Sequence, residues 1–294
     1  MRAGAPWGLW LPGAGLCAAL LAVGCERVDR GTRFAARRAV AAPGLRAPVA
    51  PQGGRTPAEA PVRRVELGRS VRGVPLVLEV FGDGPERILV FGGIHGDEAS
   101  SAEVARRLAD WLRIEWRLFE GRTVGVLAEA NPDGLALGRR TNANGVDLNR
   151  NFPARNWRAG SGGRVRHGVR AASEPETRAI MGAVELIRPD RVMSIHTARV
   201  GGCCNNYDGP AAQLAQRMAA HNRYPVRASM GYPTPGSFGS WAGTDRRIPT
   251  ITLELPGGKS GWAAWRENQA ALVAFIQAGT PAREAGAPLG AGQK

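Results

Sequence analysis

Residues 88–98 read Ile88-Leu89-Val90-Phe91-Gly92-Gly93-Ile94-His95-Gly96-Asp97-Glu98, an apolar run that ends in glycines and then delivers a histidine and a carboxylate three residues apart. The pattern predicts a strand, a tight turn and a helix start. The run is short enough for a strand buried on both faces, and glycine removes side chains where the backbone must bend sharply. His95 and Glu98 then emerge at the strand's carboxyl end, the edge at which open α/β sheets bind ligands. An imidazole and a carboxylate placed there can share one cation. Zinc is the first candidate, because catalytic zinc uses three protein ligands, His/His/Glu among them, and keeps a fourth position for water. Read alone, the same pair is an acidic first helical turn beside a hydrogen-bonded loop histidine.

A second histidine is therefore required, and the chain has four. His196, in Arg191-Val192-Met193-Ser194-Ile195-His196-Thr197, follows another short apolar run and sits at a second strand end. His167 lies in a Gly/Arg-rich loop and His221 follows an amphipathic stretch, so neither has that placement.

At 294 residues the chain holds one large α/β domain once its atypical ends are set aside. The net charge of +14 comes almost entirely from scattered arginines, with lysine only at Lys259 and Lys294. No basic helix or aromatic-interleaved basic patch accompanies it, which argues against a nucleic-acid partner and leaves attraction to anionic wall polymer or lipid. Residues 1–25 read as an export signal: Met1-Arg2 precedes a mostly apolar run from Trp7 to Gly24. The ending Leu20-Leu21-Ala22-Val23-Gly24-Cys25 resembles a bacterial lipobox, with Cys25 as the lipid attachment point. Cleavage and release, or retention as an uncleaved anchor, stay open. The localisation expected is periplasmic, or membrane-anchored as a lipoprotein. Residues 26–62 and 281–294, rich in Arg, Ala, Pro and Gly, read as a disordered linker and tail around a catalytic domain over 63–280. Cys203 and Cys204, adjacent in the chain, do not form a disulfide framework.

Within the domain, Val62–Leu67 and Val74–Val80 alternate as an antiparallel hairpin around a turn with glycine at each end. A helix is expected over about Ala99–Arg113 and a strand over Thr123–Ala130. Ser173-Glu174-Pro175-Glu176 matches a capping box opening a further helix. Gly201–Pro210 reads as a loop on the metal's edge, and Gly231–Trp241 as a Gly/Pro-rich loop suited to a substrate wall. A last helix spans about Gly261–Ala278.

Between these elements lies Arg139-Arg140-Thr141-Asn142-Ala143-Asn144-Gly145-Val146-Asp147-Leu148-Asn149-Arg150-Asn151-Phe152-Pro153. Arginine's planar fork matches a carboxylate and stays charged, so Arg140 and Arg150 are candidates for recognising carboxylate or carbonyl groups. Asn131, Asn142 and Asn144 read equally well as turn makers. Thr250-Ile251-Thr252-Leu253-Glu254-Leu255-Pro256 puts one carboxylate in an apolar strand. Burial there disfavours the charged form of Glu254 and suits it to take and return a proton; the plain alternative is an edge-strand glutamate facing water.

In order along the chain, His95-x-x-Glu98, Arg140-x-Asn142, Asn149-Arg150, His196 and Glu254 resemble the functional residues of the zinc carboxypeptidase family over about residues 63–278. Cys204–Pro210 and Tyr232–Trp241 look most like the murein peptide amidases, which cleave the γ-D-glutamyl to diaminopimelate bond of cell-wall peptides. The resemblance implies an α/β fold with a mixed sheet of about eight strands flanked by helices, and one zinc ion on His95, Glu98 and His196. It implies Glu254 as general base, Arg140 polarising the carbonyl, and Arg150 with Asn149 holding a substrate carboxylate. Arg139 competes with Arg140, and the family's tyrosine falls on Tyr232 or Tyr207. Amidases of this type are usually cytoplasmic, whereas this chain opens with an export signal. Two other readings remain: an N-acyl amino acid deacylase of the same superfamily, which the long loops disfavour, and a non-catalytic cell-wall binder, which would leave the ligands, base and arginines without work.

Overall fold

The computed structural model describes residues 62–162, 165–198 and 202–279. The expected export signal, most of the linker and the tail lie outside the described residues.

The hairpin forms as β1 (Val62–Arg69) and β2 (Pro75–Phe81), antiparallel. β3 (Glu86–Phe91) leads through the glycine turn into α1 (Ala99–Ile114), and β4 (Arg122–Leu127) leads into the short α2 (Pro132–Leu137). A two-stranded ribbon, β5 (Ser161–Gly162) with β6 (Val165–Arg166), precedes α3 (Pro175–Ile187). Then come β7 (Arg191–Thr197), β8 (Cys204–Asp208), α4 (Ala212–Asn222), β9 (Val226–Arg227), a π-helical stretch over Gly239–Asp245, β10 (Thr250–Leu255) and α5 (Gly261–Ile276). Eight strands join in one mixed sheet, in the order β1-β2-β4-β3-β7-β10-β8-β9. Its centre, β4-β3-β7-β10, is parallel.

Strand parity sorts the side chains into two cores. Ile88, Val90, Met193, Ile195, Ile251 and Leu253 pack under α1, α4 and α5. Leu89, Phe91 and Val192 face α3 on the other side, with Phe152, Phe238 and Trp241. Beyond α3 that second face turns polar: Ser194 and His196 on β7, Thr252 and Glu254 on β10, and Asn206 and Asp208 on β8 all have its parity.

Three expectations change. Cys204–Asp208 is a strand and not a loop, antiparallel to β10. Asparagine disfavours strands, but buried Asn205 exchanges hydrogen bonds with Asn222 of α4, so tertiary partners override local preference. The capping box does not form. Glu174 is the N-cap, with Pro175 following, Ser173 Oγ donates to Glu174 Oε1, and Glu176 accepts from Asn142 Nδ2 and the Val71 N–H. The aromatic rings of the Gly231–Trp241 segment divide: Tyr232 is exposed, whereas Phe238 and Trp241 are buried and pack on Phe152.

The turn after β3 needs its glycines. Gly93 is left-handed at φ +67°, and a Cβ on Gly96 would collide with the Gly134 backbone of α2.

Candidate active site

β3 and β7 are neighbouring parallel strands, so the turn after β3 sets His95 beside His196 at the end of β7, ring centroids 4.8 Å apart. Glu98 occupies the N-cap position of α1 but makes no side-chain cap. Its carboxylate turns to the histidines instead: Oε1 lies 2.9 Å from His95 Nδ1, and Oε2 lies 3.0 Å from His196 Nδ1. The Thr197 N–H donates to the same Oε2 at 2.9 Å and fixes the carboxylate. One ligand atom from each of the three side chains falls within 4.8 Å of the others, and the three are only 1%, 5% and 3% exposed.

Behind His95 stands Asp147, which the sequence reading did not single out. Its Oδ1 lies 3.0 Å from His95 Nε2, and its Oδ2 accepts from Arg140 Nε at 2.8 Å. Arg140 Nη1 also donates to Glu98 Oε1 at 3.2 Å. Asp147 thereby selects the tautomer that carries its proton on Nε2 and presents Nδ1 to the centre. His196 Nε2 is buried with no hydrogen-bond partner among the described residues, so its Nδ1 is the atom directed at Glu98.

The electrostatics call for a positive charge at this point. Burial raises the Glu98 carboxyl, yet His95 and His196 outweigh it and hold it well below the usual range. Burial likewise raises Asp147, and His95 and Arg140 bring it far down. For His95, burial lowers the pKa, but Glu98 and Asp147 more than reverse this and push it up to about 9. Two convergent imidazole nitrogens and a carboxylate, desolvated and backed by a carboxylate on the outer nitrogen, fit zinc.

Glu254 pairs in register with His196 on the adjacent parallel strand and is 9% exposed. Burial raises its pKa; His196 opposes the shift and Glu98 reinforces it. A cavity of about 770 Å³ joins these groups to Arg140, Asn149, Arg150 and Tyr232. Asn149 Oδ1 accepts the Phe238 N–H, and its carbonyl accepts from Arg150 Nη1, which ties both residues to the wall. Arg139 is exposed and does not line the cavity, so of the adjacent pair only Arg140 reaches it.

Tyr207 is the candidate that the structure does not bring here. It pairs with Ile251 on β8, and that parity turns its ring to the core under α4 and α5. The neighbours Asn206 and Asp208 face the cavity in its place. Reading β8 as a strand would have exposed this alternation. Asn131, Asn142 and Asn144 make turns and caps: Asn131 accepts the Gly134 N–H, and Asn142 and Asn144 donate to Glu174.

A profile of the family described as zinc carboxypeptidase matches residues 58–270. The chain belongs to the zinc carboxypeptidase family. Murein peptide amidase A of Escherichia coli K12 is 38% identical over 202 residues, spanning 64% of this chain and 79% of that protein. The Vibrio campbellii protein of the same name is 34% identical over 203 residues, spanning 64% and 77%. The crystal structure of murein-tripeptide amidase from E. coli O157 superposes with a TM-score of 0.62 at 33% identity, covering 76% of this chain and 97% of that one. This zinc carboxypeptidase is thus a zinc-dependent hydrolase of the metallopeptidase class, with the mixed eight-stranded sheet of its structural relatives.

Because His95 holds its proton up to about 9 when no cation lies beside it, zinc must displace that proton at neutral pH. The expected outcome is one proton released per zinc bound and an affinity that climbs about tenfold per pH unit between about pH 6 and pH 8. Calorimetry in two buffers of different ionisation enthalpy measures both. Equal affinity at the two pH values, or undiminished zinc content in His196→Ala, would contradict the assignment.

Proposed function

We propose that this enzyme hydrolyses an amide bond of murein-derived peptides next to a carboxylate-bearing residue, with zinc held by His95, Glu98 and His196 and with Glu254 as general base. The observation that carries the reading is the pairing of Glu254 with His196 in one buried polar stripe, opening on a cavity that also presents the guanidiniums of Arg140 and Arg150. A zinc ion at the three ligands supplies Lewis acidity to the scissile carbonyl and acidifies the attacking water.

The chain's own groups do the rest. Glu254, whose affinity for a proton is raised by burial, takes the water's proton on a carboxylate oxygen and delivers it to the departing amine. Arg140, anchored by Asp147 and Glu98, presents a fixed positive charge to the oxygen that gains charge as the carbonyl is attacked. Arg150, on the same wall, pairs with the substrate carboxylate in ground and transition state alike. Tyr232, 56% exposed at the mouth, covers bound substrate.

The far end of the cavity supports a diaminopimelate-like side chain. Asp208 lies four residues along β8 from Cys204, the register partner of Glu254, or about 13 Å at strand rise. Burial raises its pKa, and its position requires glycine at 239 and 243, where a Cβ would collide with it. Arg227 lines the same cavity. A carboxylate and a guanidinium together match the ammonium and carboxylate of a zwitterionic head.

We further propose export, with Cys25 as the point of lipid attachment, supported by the apolar run that ends in Gly24-Cys25.

Replacing Glu254 with Gln should leave zinc bound and lower amide hydrolysis by about 10²–10⁴-fold. Arg150→Ala should raise KM more than it lowers kcat, since its contact is made before and during the reaction. Full turnover in zinc-loaded Glu254→Gln would remove it as the base, and hydrolysis of N-acyl amino acids in preference to peptides would replace the substrate class. Asp208→Asn should raise KM for a diaminopimelate-bearing peptide and leave KM for one with alanine at that position unchanged; equal effects on both would dismiss the subsite. Fractionation of the protein expressed in a bacterial host tests the leader. Mature chain in the membrane with an acylated Cys25 is expected, cytosolic protein retaining Met1 would sink export, and a soluble periplasmic product would sink lipidation.

A further inference from the structure

At the opposite end of the strands that carry His196 and Glu254 lies another cavity, of about 430 Å³. Its inner wall includes Arg191, the first residue of β7, which is only 2% exposed. Arg191 Nε donates to the Phe275 carbonyl at 2.9 Å, and Nη2 donates to the Ile276 carbonyl at 2.6 Å. Nη2 also reaches Glu86 at 3.4 Å. Nη1 is buried and has no hydrogen-bond partner among the described residues. Glu86 is shared with Arg122, whose Nε lies 2.9 Å from the same carboxylate oxygen. One carboxylate therefore serves two guanidiniums.

The facing wall is the start of α4, an eleven-residue helix: Ala212, Gln213 and Leu214 line the cavity, with Arg217 one turn further along. Ala211, the N-cap, offers no side-chain acceptor, so the first N–H groups of α4 are left without a cap. These N–H groups carry the positive end of the helix dipole. Pro249, just before β10, and Leu214 add apolar surface, and no acidic side chain lines the cavity among the described residues.

We propose that this cavity binds a small oxyanion, a phosphate or a carboxylate on a compact organic body. The uncapped amides of α4 take the oxygens, Arg217 pairs with the charge at the mouth, and Arg191 supplies positive potential from within. The volume falls within the range of small-ligand pockets and exceeds what a bare ion fills. His196 lies five residue steps along β7 from Arg191, about 17 Å at strand rise, so the site is distinct from the zinc centre.

The test uses the full chain loaded with zinc and carrying Arg150→Ala, which weakens anion capture at the active site. Arg191 itself is left intact, since it ties α5 to the sheet; Arg217 and Gln213 are exposed and can change without unfolding the helix. Calorimetric titration with inorganic phosphate should show saturable binding. Adding Arg217→Ala or Gln213→Glu should weaken it about tenfold or more. In otherwise wild-type enzyme, the same two changes should leave peptide hydrolysis unchanged. Acetate that competes with phosphate assigns the site to carboxylates as well, and acetate that does not compete restricts it to phosphate. Absence of phosphate binding in the Arg150→Ala background, or affinity unaltered by both surface variants, would overturn the proposal.

Discussion

Two carboxylates, Glu98 and Asp147, are buried on either side of His95, and the site is organised around what neutralises them. Arg140 contributes a permanent charge at the rim, where it is less enclosed than the carboxylates. The remaining demand falls at the point where His95 Nδ1, His196 Nδ1 and Glu98 converge, and a proton or a dication can meet it. Isolated buried charges of this kind would be costly; paired and hydrogen-bonded, they lock three segments of chain to one another. The turn after β3, the end of β7 and the Arg140–Asp147 loop therefore have few ways to separate without exposing an unpaired charge.

The residues that were legible in the sequence are those whose local setting is unusual. His95 and Glu98 end an apolar run in glycines, His196 ends another, and Glu254 is an acid in a buried strand; each violates the pattern around it. The glycines at 93 and 96 announce themselves for the same reason, one by its left-handed backbone and the other by its contact with α2. Arg140 was favoured over its neighbour Arg139 only by the Arg-x-Asn spacing, since adjacent residues of identical chemistry carry no other local distinction, and in the fold Arg140 is the one that lines the cavity.

What was not legible depended on partners far along the chain. Asn205 belongs in a strand because Asn222 and its neighbours satisfy it, and a window around Cys204–Asp208 holds none of them. The misread loop then concealed the alternation that sends Tyr207 into the core and Asp208 into the cavity. Ser173-Glu174-Pro175-Glu176 has the spacing of a capping box, but Asn142, thirty-four residues before Glu176, draws that carboxylate away. Asp147 looked like one more turn aspartate, which it also is, accepting the Asn149 N–H while it holds His95.

The sheet's parity explains why the cavity lies where it does. On the face covered by α1, α4 and α5, β7 and β10 present Met193, Ile195, Ile251 and Leu253, and the polar groups buried beside them, Asn205, Asn222 and Asn268, satisfy one another. On the other face α3 covers Leu89 and Val192, but the residues further along β7, β10 and β8 are Ser194, His196, Thr252, Glu254, Asn206 and Asp208. A helix laid over that stripe would bury six polar side chains without enough partners to compensate. The chain instead roofs it with the Tyr232–Ser237 loop and the π-helical turn, leaving a cavity whose floor is made of paired strands. His196 and Glu254 are consequently held by backbone ladders and not by mobile connections. Their spacing is a consequence of strand register, and the loops above can change the shape of the cavity without moving these two side chains.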